Sequence, residues 1–161
     1  MYISMKQTFQ YLVDNYTPYV TQCYRTIHAN PELSFEEYQT AAFVCAELEK
    51  MSIPYKSGIA GTGVLGIIEG RNPDKRTIAL RADMDALPVC ENVNVDWKSK
   101  NEGVMHACGH DVHTSCLLGA AAVLNTLKDE FEGRILLVFQ PGEEKAPGGA
   151  RLMLAAGLFD E

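Results

Sequence analysis

No apolar run in this chain approaches the ~18 consecutive residues that a membrane-spanning helix needs. Basic residues are in the minority: 14 Lys and Arg stand against 21 Asp and Glu, a formal net charge of -7. That balance argues against nucleic acid as a partner, which proteins grip with clustered positive charge. The amino terminus, MYISMKQTFQYLVDNY, lacks the basic segment and unbroken apolar segment of a secretion signal. Framework cysteine spacing is missing too. Five cysteines, an odd number, predict reduced thiols and a cytoplasmic setting. Internal repeats, low-complexity runs and long linkers are absent. Histidine is scarce, yet three of the four histidines fall within MHACGHDVH, residues 105 to 113.

What is present reads as one domain's worth of ordinary globular chain: 161 residues, 47% hydrophobic and 22% charged. Thr17-Pro18 predicts the start of a helix ending near His28, before Asn30-Pro31. Ser34 and Glu37 form a capping-box pattern for a second helix with Ala41, Val44, Cys45 and Leu48 on its buried stripe. VLGIIEG (64 to 70) and RTIALRA (76 to 82) are strand-like, and RNPDK between them suggests an antiparallel hairpin. Residues 86 to 104 are irregular. Asp111 is placed to cap a third helix running through Lys128, with Leu117, Ala120, Ala121, Leu124 and Leu127 on one face. The nearly continuous apolar run EGRILLVFQ (132 to 140) suggests a strand covered on both faces. Gly148-Gly149 opens a last short helix. Cys45 and Cys116 read as core packing. Helices alternating with strands predict an α/β class with a mixed sheet.

The chemistry collects after the strands, where open α/β sheets place their sites. Asp83 and Asp85 follow one, Glu143 and Glu144 follow another, and Cys108 and His110 precede the third helix. Four carboxylates side by side repel one another, so a cation or raised pKa values must compensate. Cys108 and His110, two apart, face one side if the segment is extended, with Gly109 leaving room for backbone near an ion. Thiolate and imidazole suit a borderline metal such as zinc, and Glu144 could add a carboxylate oxygen. Glu143 would then be free as a base for water whose pKa the metal lowers toward ~7. Each cluster alone has an ordinary reading: a solvated turn for Glu143-Glu144, a strand end for Asp83 and Asp85. His106 and His113 read as supporting groups around the metal, and His28 as a helix-terminal residue meeting the dipole. A rival chemistry makes Cys108 a nucleophile activated by His110 or His113, but it gives Glu143-Glu144 no role.

HANPELSFEE (28 to 37), TGVLGIIEG (62 to 70), ALRADMDALP (79 to 88), GVMHACGHDVHT (103 to 114) and FQPGEEKAPGGA (139 to 150) together resemble the M20 metallopeptidase family. Within it they look like the amidohydrolase branch of N-acyl-amino-acid, hippurate and indole-acetyl-amino-acid hydrolases. The resemblance implies a zinc-exopeptidase-like catalytic domain, a mixed sheet with flanking helices. It implies two divalent ions (Zn, Mn, Co or Ni), with Cys108, His110 and Glu144 as metal ligands. Glu143 matches the general base, and Asp85 is the better placed of the two aspartates to orient a ligand. The reaction implied is hydrolysis of the amide of a small N-acyl amino acid.

The family's chains are considerably longer. The resemblance therefore predicts that residues 1 to 161 are the amino-terminal part of the catalytic domain. A lid or dimerisation domain, the carboxyl-terminal part of the catalytic domain and two further ligand histidines would be missing. Partial or no metal occupancy is expected, along with loss of activity, so a non-catalytic fragment or association module is the alternative. An incomplete sheet leaves an unpaired edge, which predicts homo-oligomers or aggregation. No nucleic acid or membrane partner is expected.

Overall fold

The computed structural model describes residues 4–160. Four strands form one mixed sheet: β1 (Tyr55–Ile59), β2 (Gly63–Glu69), β3 (Thr77–Asp83) and β4 (Arg134–Gln140), in the order β1-β2-β4-β3. β2 is antiparallel to both β1 and β4, while β3 runs parallel to β4. Four helices flank it: α1 (Met5–His28), α2 (Tyr38–Lys50), α3 (His110–Thr126) and α4 (Gly149–Ala155).

The apolar run of β4 earns its central place by parity. Ile135, Leu137 and Phe139 join Val64 and Ile68 of β2 in a core with Val44 and Leu48 of α2 and Leu117, Leu118 and Ala121 of α3. The alternate residue Val138 joins Leu65 of β2, Met153 of α4 and Leu158 on the other face, with Ile67 and Leu136 packed alongside. Both faces of the strand are thus covered, as its composition predicts.

Several expectations are corrected. β2 and β3 do not form a hairpin, because β4 lies between them. The RNPDK segment instead spans the start of β4, with Gly70 and Arg71 exchanging backbone bonds with residues 131 to 133 and Arg76 accepting from Arg134. The strand richest in apolar residues takes the centre, and the more exposed β3 takes an edge. β1 was not anticipated. Its residues are almost all exposed and carry little apolar alternation.

α1 does not start at Thr17. It starts at Ser4, whose side chain accepts from the Gln7 amide while Gln7 answers to the Ser4 amide, and it runs through Pro18. Pro18 lacks the donor to the carbonyl four residues back, and its ring crowds that carbonyl. The Ser4–Gln7 box and the burial of Cys23 and Ile27 carry the helix across that gap. α2 lacks the expected Ser34–Glu37 box. Glu32 serves its first turn, accepting from the Gln39 and Thr40 amides at 3.0 and 2.8 Å. α3 is preceded by Gly109 at φ 82, not capped by Asp111. Cys116 is exposed rather than core, and none of the five cysteines forms a disulfide.

Candidate metal centre

Because β3 and β4 are parallel neighbours, with Asp83 opposite Gln140, their carboxyl ends release Asp83–Asp85 and Gly142–Glu144 side by side. The amino terminus of α3 arrives at the same place. Gly109 adopts a left-handed conformation that other residues take only with strain. The 108–110 segment is therefore a turn into a helix, not the extended stretch that would put Cys108 and His110 on one side. His110 becomes the first helical residue and is buried, while Cys108 stays exposed at the rim.

His110 is fixed from behind. Its Nδ1 lies 2.8 Å from the Asp85 carbonyl and 3.2 Å from Asp85 Oδ1. Both are acceptors, so Nδ1 donates and Nε2 faces forward. Nε2 then lies 3.6 Å from Asp83, 3.8 Å from Glu144 and 3.9 Å from Glu143. Asp85 is itself saturated: its Oδ2 accepts from the Ser34 hydroxyl at 2.6 Å and the Glu144 amide at 2.9 Å. Burial works against its charge, but these donors and His110 outweigh burial and hold the carboxyl well below the usual range.

Asp83 is shared among Arg81 at 3.0 Å, His113 Nδ1 at 2.7 Å and the Thr114 hydroxyl, which donates to its backbone carbonyl at 2.8 Å. The His113 ring stacks on His110 with centroids 5.7 Å apart. Two sets of donor atoms lie within 4.8 Å of one another: Asp83 with His110 and His113, and His110 with Glu143 and Glu144. Cys108 belongs to neither set. Of its neighbours, the Glu144 carboxylate acts on its thiol most strongly.

Glu144, burial and the surrounding carboxylates push the Cys108 thiol up to about 11. At His110 burial favours the neutral ring, but the Asp85 hydrogen bond and the Asp83 charge prevail and raise it to about 9. The acidic excess thus favours a protonated imidazole at His110 and disfavours a thiolate at Cys108, at two groups suited to bind a metal. A divalent cation would supply the same compensation, so the donor set fits one.

The remaining histidines behave differently. His28 lies buried with Nδ1 2.6 Å from Asp111 and Nε2 3.2 Å from Glu91. Burial opposes its charge, the two carboxylates outweigh it, and its pKa is raised. It ties the end of α1 to the first turn of α3, rather than serving the helix dipole alone. His106 does not make the supporting hydrogen bonds expected of it. Both ring nitrogens are buried and without a partner among the described residues, and burial pushes its pKa down to about 4. Local reading missed Ser34, Glu37 and Thr114 as site supports. The first two have the spacing of a helix cap, and both lie in the HANPELSFEE stretch. An apolar groove of about 610 Å³ between α1 and α3 contains none of the site residues.

Residues 79–161 match the model of peptidase family M20/M25/M40, just over half of the chain. The chain belongs to this family. As an M20 chain it is 50% identical over 144 residues to thermostable carboxypeptidase 2 of Saccharolobus solfataricus, covering 88% of this chain and 36% of that protein. It is 44% identical over 155 residues to the N-acyl-L-amino acid amidohydrolase of Geobacillus stearothermophilus, covering 96% and 42% respectively. Among solved structures it is similar to the Bacillus subtilis YXEP protein, a dinuclear metal-binding peptidase of the M20 family. The match has a TM-score of 0.86 and 40% identity over 91% of this chain and 41% of that one. The M20 chain therefore spans about two fifths of the length of the relatives it matches.

Proposed function

We propose that this chain carries the metal-holding and proton-transferring part of an amidohydrolase site acting on small N-acyl amino acids. The reading rests on one observation: His110, Glu143 and Glu144 bring donor atoms within 4.8 Å of one another where the carboxyl ends of β3 and β4 meet the start of α3. Cys108, His110 and Glu144 would hold a divalent ion, with Asp85 orienting His110 through Nδ1. When bound, the ion supplies Lewis acidity toward the substrate carbonyl and lowers the pKa of water. Glu143 is the more exposed of the two glutamates, its side chain 42% accessible against 24% for Glu144. That leaves Glu143 free to take a proton from water at the open side and pass it to the departing amine. Hydrolysis then breaks the amide C–N bond, with the hydroxyl going to the acyl carbon and the proton to nitrogen. The amidohydrolase among the relatives supports the N-acyl class of substrate, and the dinuclear YXEP protein supports metal dependence.

The test uses cobalt as a spectroscopic probe and an N-acyl amino acid as substrate. We expect a thiolate-to-cobalt charge-transfer band in the native chain and in Glu143→Gln, and its loss in Cys108→Ser. Any hydrolysis should disappear in Glu143→Gln. Turnover that survives this substitution removes Glu143 from the base role, and a native chain without the band removes Cys108 as a ligand. The ordinary reading of the same donors is a second one, in which the chain holds an ion without turning over. Bound metal with no hydrolysis would select it.

A further inference from the structure

Glu37 is fully buried and has no part in the ligand set or in proton transfer. Its Oε1 accepts from the amide of Phe35 at 2.9 Å and from the amide of Gly142 at 2.7 Å. Its Oε2 accepts from the Thr62 hydroxyl at 2.6 Å. Gly142 immediately precedes Glu143 and Glu144. A carboxylate taken wholly out of water needs such donors, and here one of them is the backbone of the segment that bears both glutamates. The packing is as specific as the hydrogen bonding. Phe35 has φ 68, and a Cβ on Gly142 would meet its ring at 2.4 Å. Three residues earlier, Ser34 binds the same Asp85 oxygen that accepts the Glu144 amide.

We infer that Glu37 is a positioning residue: its buried carboxylate clamps the Gly142 amide and so sets where Glu143 and Glu144 stand relative to His110. The inference rests on the proposed function for the roles of those two glutamates, but the clamp itself is independent of it. This gives the segment between α1 and α2 a task that its cap-like sequence conceals. Ser34 fixes one end of the loop through Asp85, and Glu37 fixes the other through Gly142. Glu37→Gln preserves the shape, since its carbonyl can accept both amides and its amino group can donate to the Thr62 oxygen. Glu37→Ala leaves both amides unpaired. Glu37→Asp keeps the charge but shortens the reach by one methylene.

The experiment measures amide hydrogen exchange by NMR on the metal-free chain, then cobalt affinity. In Glu37→Ala the amides of Gly142 and Glu144 should exchange at least about tenfold faster, while the middle of α3 is unchanged. Glu144 is decisive because its own acceptor, Asp85, is untouched. Glu37→Gln should restore both amides to within about threefold of the native chain. Cobalt should bind Glu37→Ala at least about tenfold more weakly with the thiolate band retained, and Glu37→Gln close to normally. If Glu37→Ala does not fold, Glu37→Asp carries the same expectations. Unchanged exchange at Gly142 and Glu144 in a folded Ala or Asp variant overturns the clamp, as does equal loss in the Gln variant. A native chain that binds no cobalt overturns the proposed function instead, and the exchange data still decide the clamp.

Discussion

If Cys108 and His110 both become ligands, metal binding must displace their protons, and the number can be worked out. With the thiol at about 11 and the imidazole at about 9, both groups are almost entirely protonated at pH 7. A ligand sulfur is a thiolate and a ligand imidazole offers a free lone pair, so each ion bound should release about two protons. Linkage then fixes the sign. Binding strengthens as pH rises, by about two log units of affinity per pH unit between ~pH 7 and ~9, and by about one beyond that. Titration calorimetry in buffers of different ionisation enthalpy reads the proton count directly. Cys108→Ser should reduce it to about one. A native chain that binds metal with no proton release would refute the reasoning, since the acidic excess would then not be what holds those protons in the free site.

Two further outcomes follow from the supports of the site. His28 has a raised pKa and Glu91 a lowered one. The histidine's contribution to stability is complete below its ordinary 6.5 and fades as pH rises through its folded value. The glutamate's is complete above its ordinary 4.5 and fades as pH falls through its folded value. The melting-temperature gap between native chain and His28→Gln should therefore be widest between pH 4.5 and 6.5. A gap constant from ~pH 5 to ~9 would remove the charged clamp. Gly149→Ala would place a Cβ 1.6 Å from the Pro141 carbonyl oxygen, so the 141–144 loop has to move. We expect a loss of about 1–3 kcal/mol in urea unfolding together with weaker cobalt binding. Stability unchanged within ~0.5 kcal/mol would show that the loop yields freely.

The element pattern was legible wherever burial imposes a period. The run Ile135–Phe139 announced a strand covered on both faces, and the stripe of α2 marked its inner face; on α3, Leu117, Ala121 and Leu124 face the core as expected, but so does the unexpected Leu118, while Ala120 lines the groove against α1. Local polar chemistry misled. Thr17-Pro18 looked like a helix start because a start and a tolerated interior proline share the same residues, and only the Ser4 box and the burial of α1 distinguish them. Ser34 and Glu37 looked like a capping box because a cap and a long-range acceptor use the same side-chain oxygens.

The sequence by itself determined the class of chemistry, because residue types limit what can bind and what can ionise. A cysteine, a histidine, two glutamates and two aspartates at the ends of apolar strands suit a divalent cation, though each cluster alone also has an ordinary structural reading. Only the tertiary structure decided the partners. Strand order follows from which strand buries most, not from which strands are neighbours in the chain, and that order places β4 beside β3. From that placement come the approach of Glu143 and Glu144 to His110, the aim of His110 and the grip of Glu37 on Gly142. A hydrogen bond between residues 105 positions apart leaves no periodic trace in the sequence, because only folding brings its two ends together.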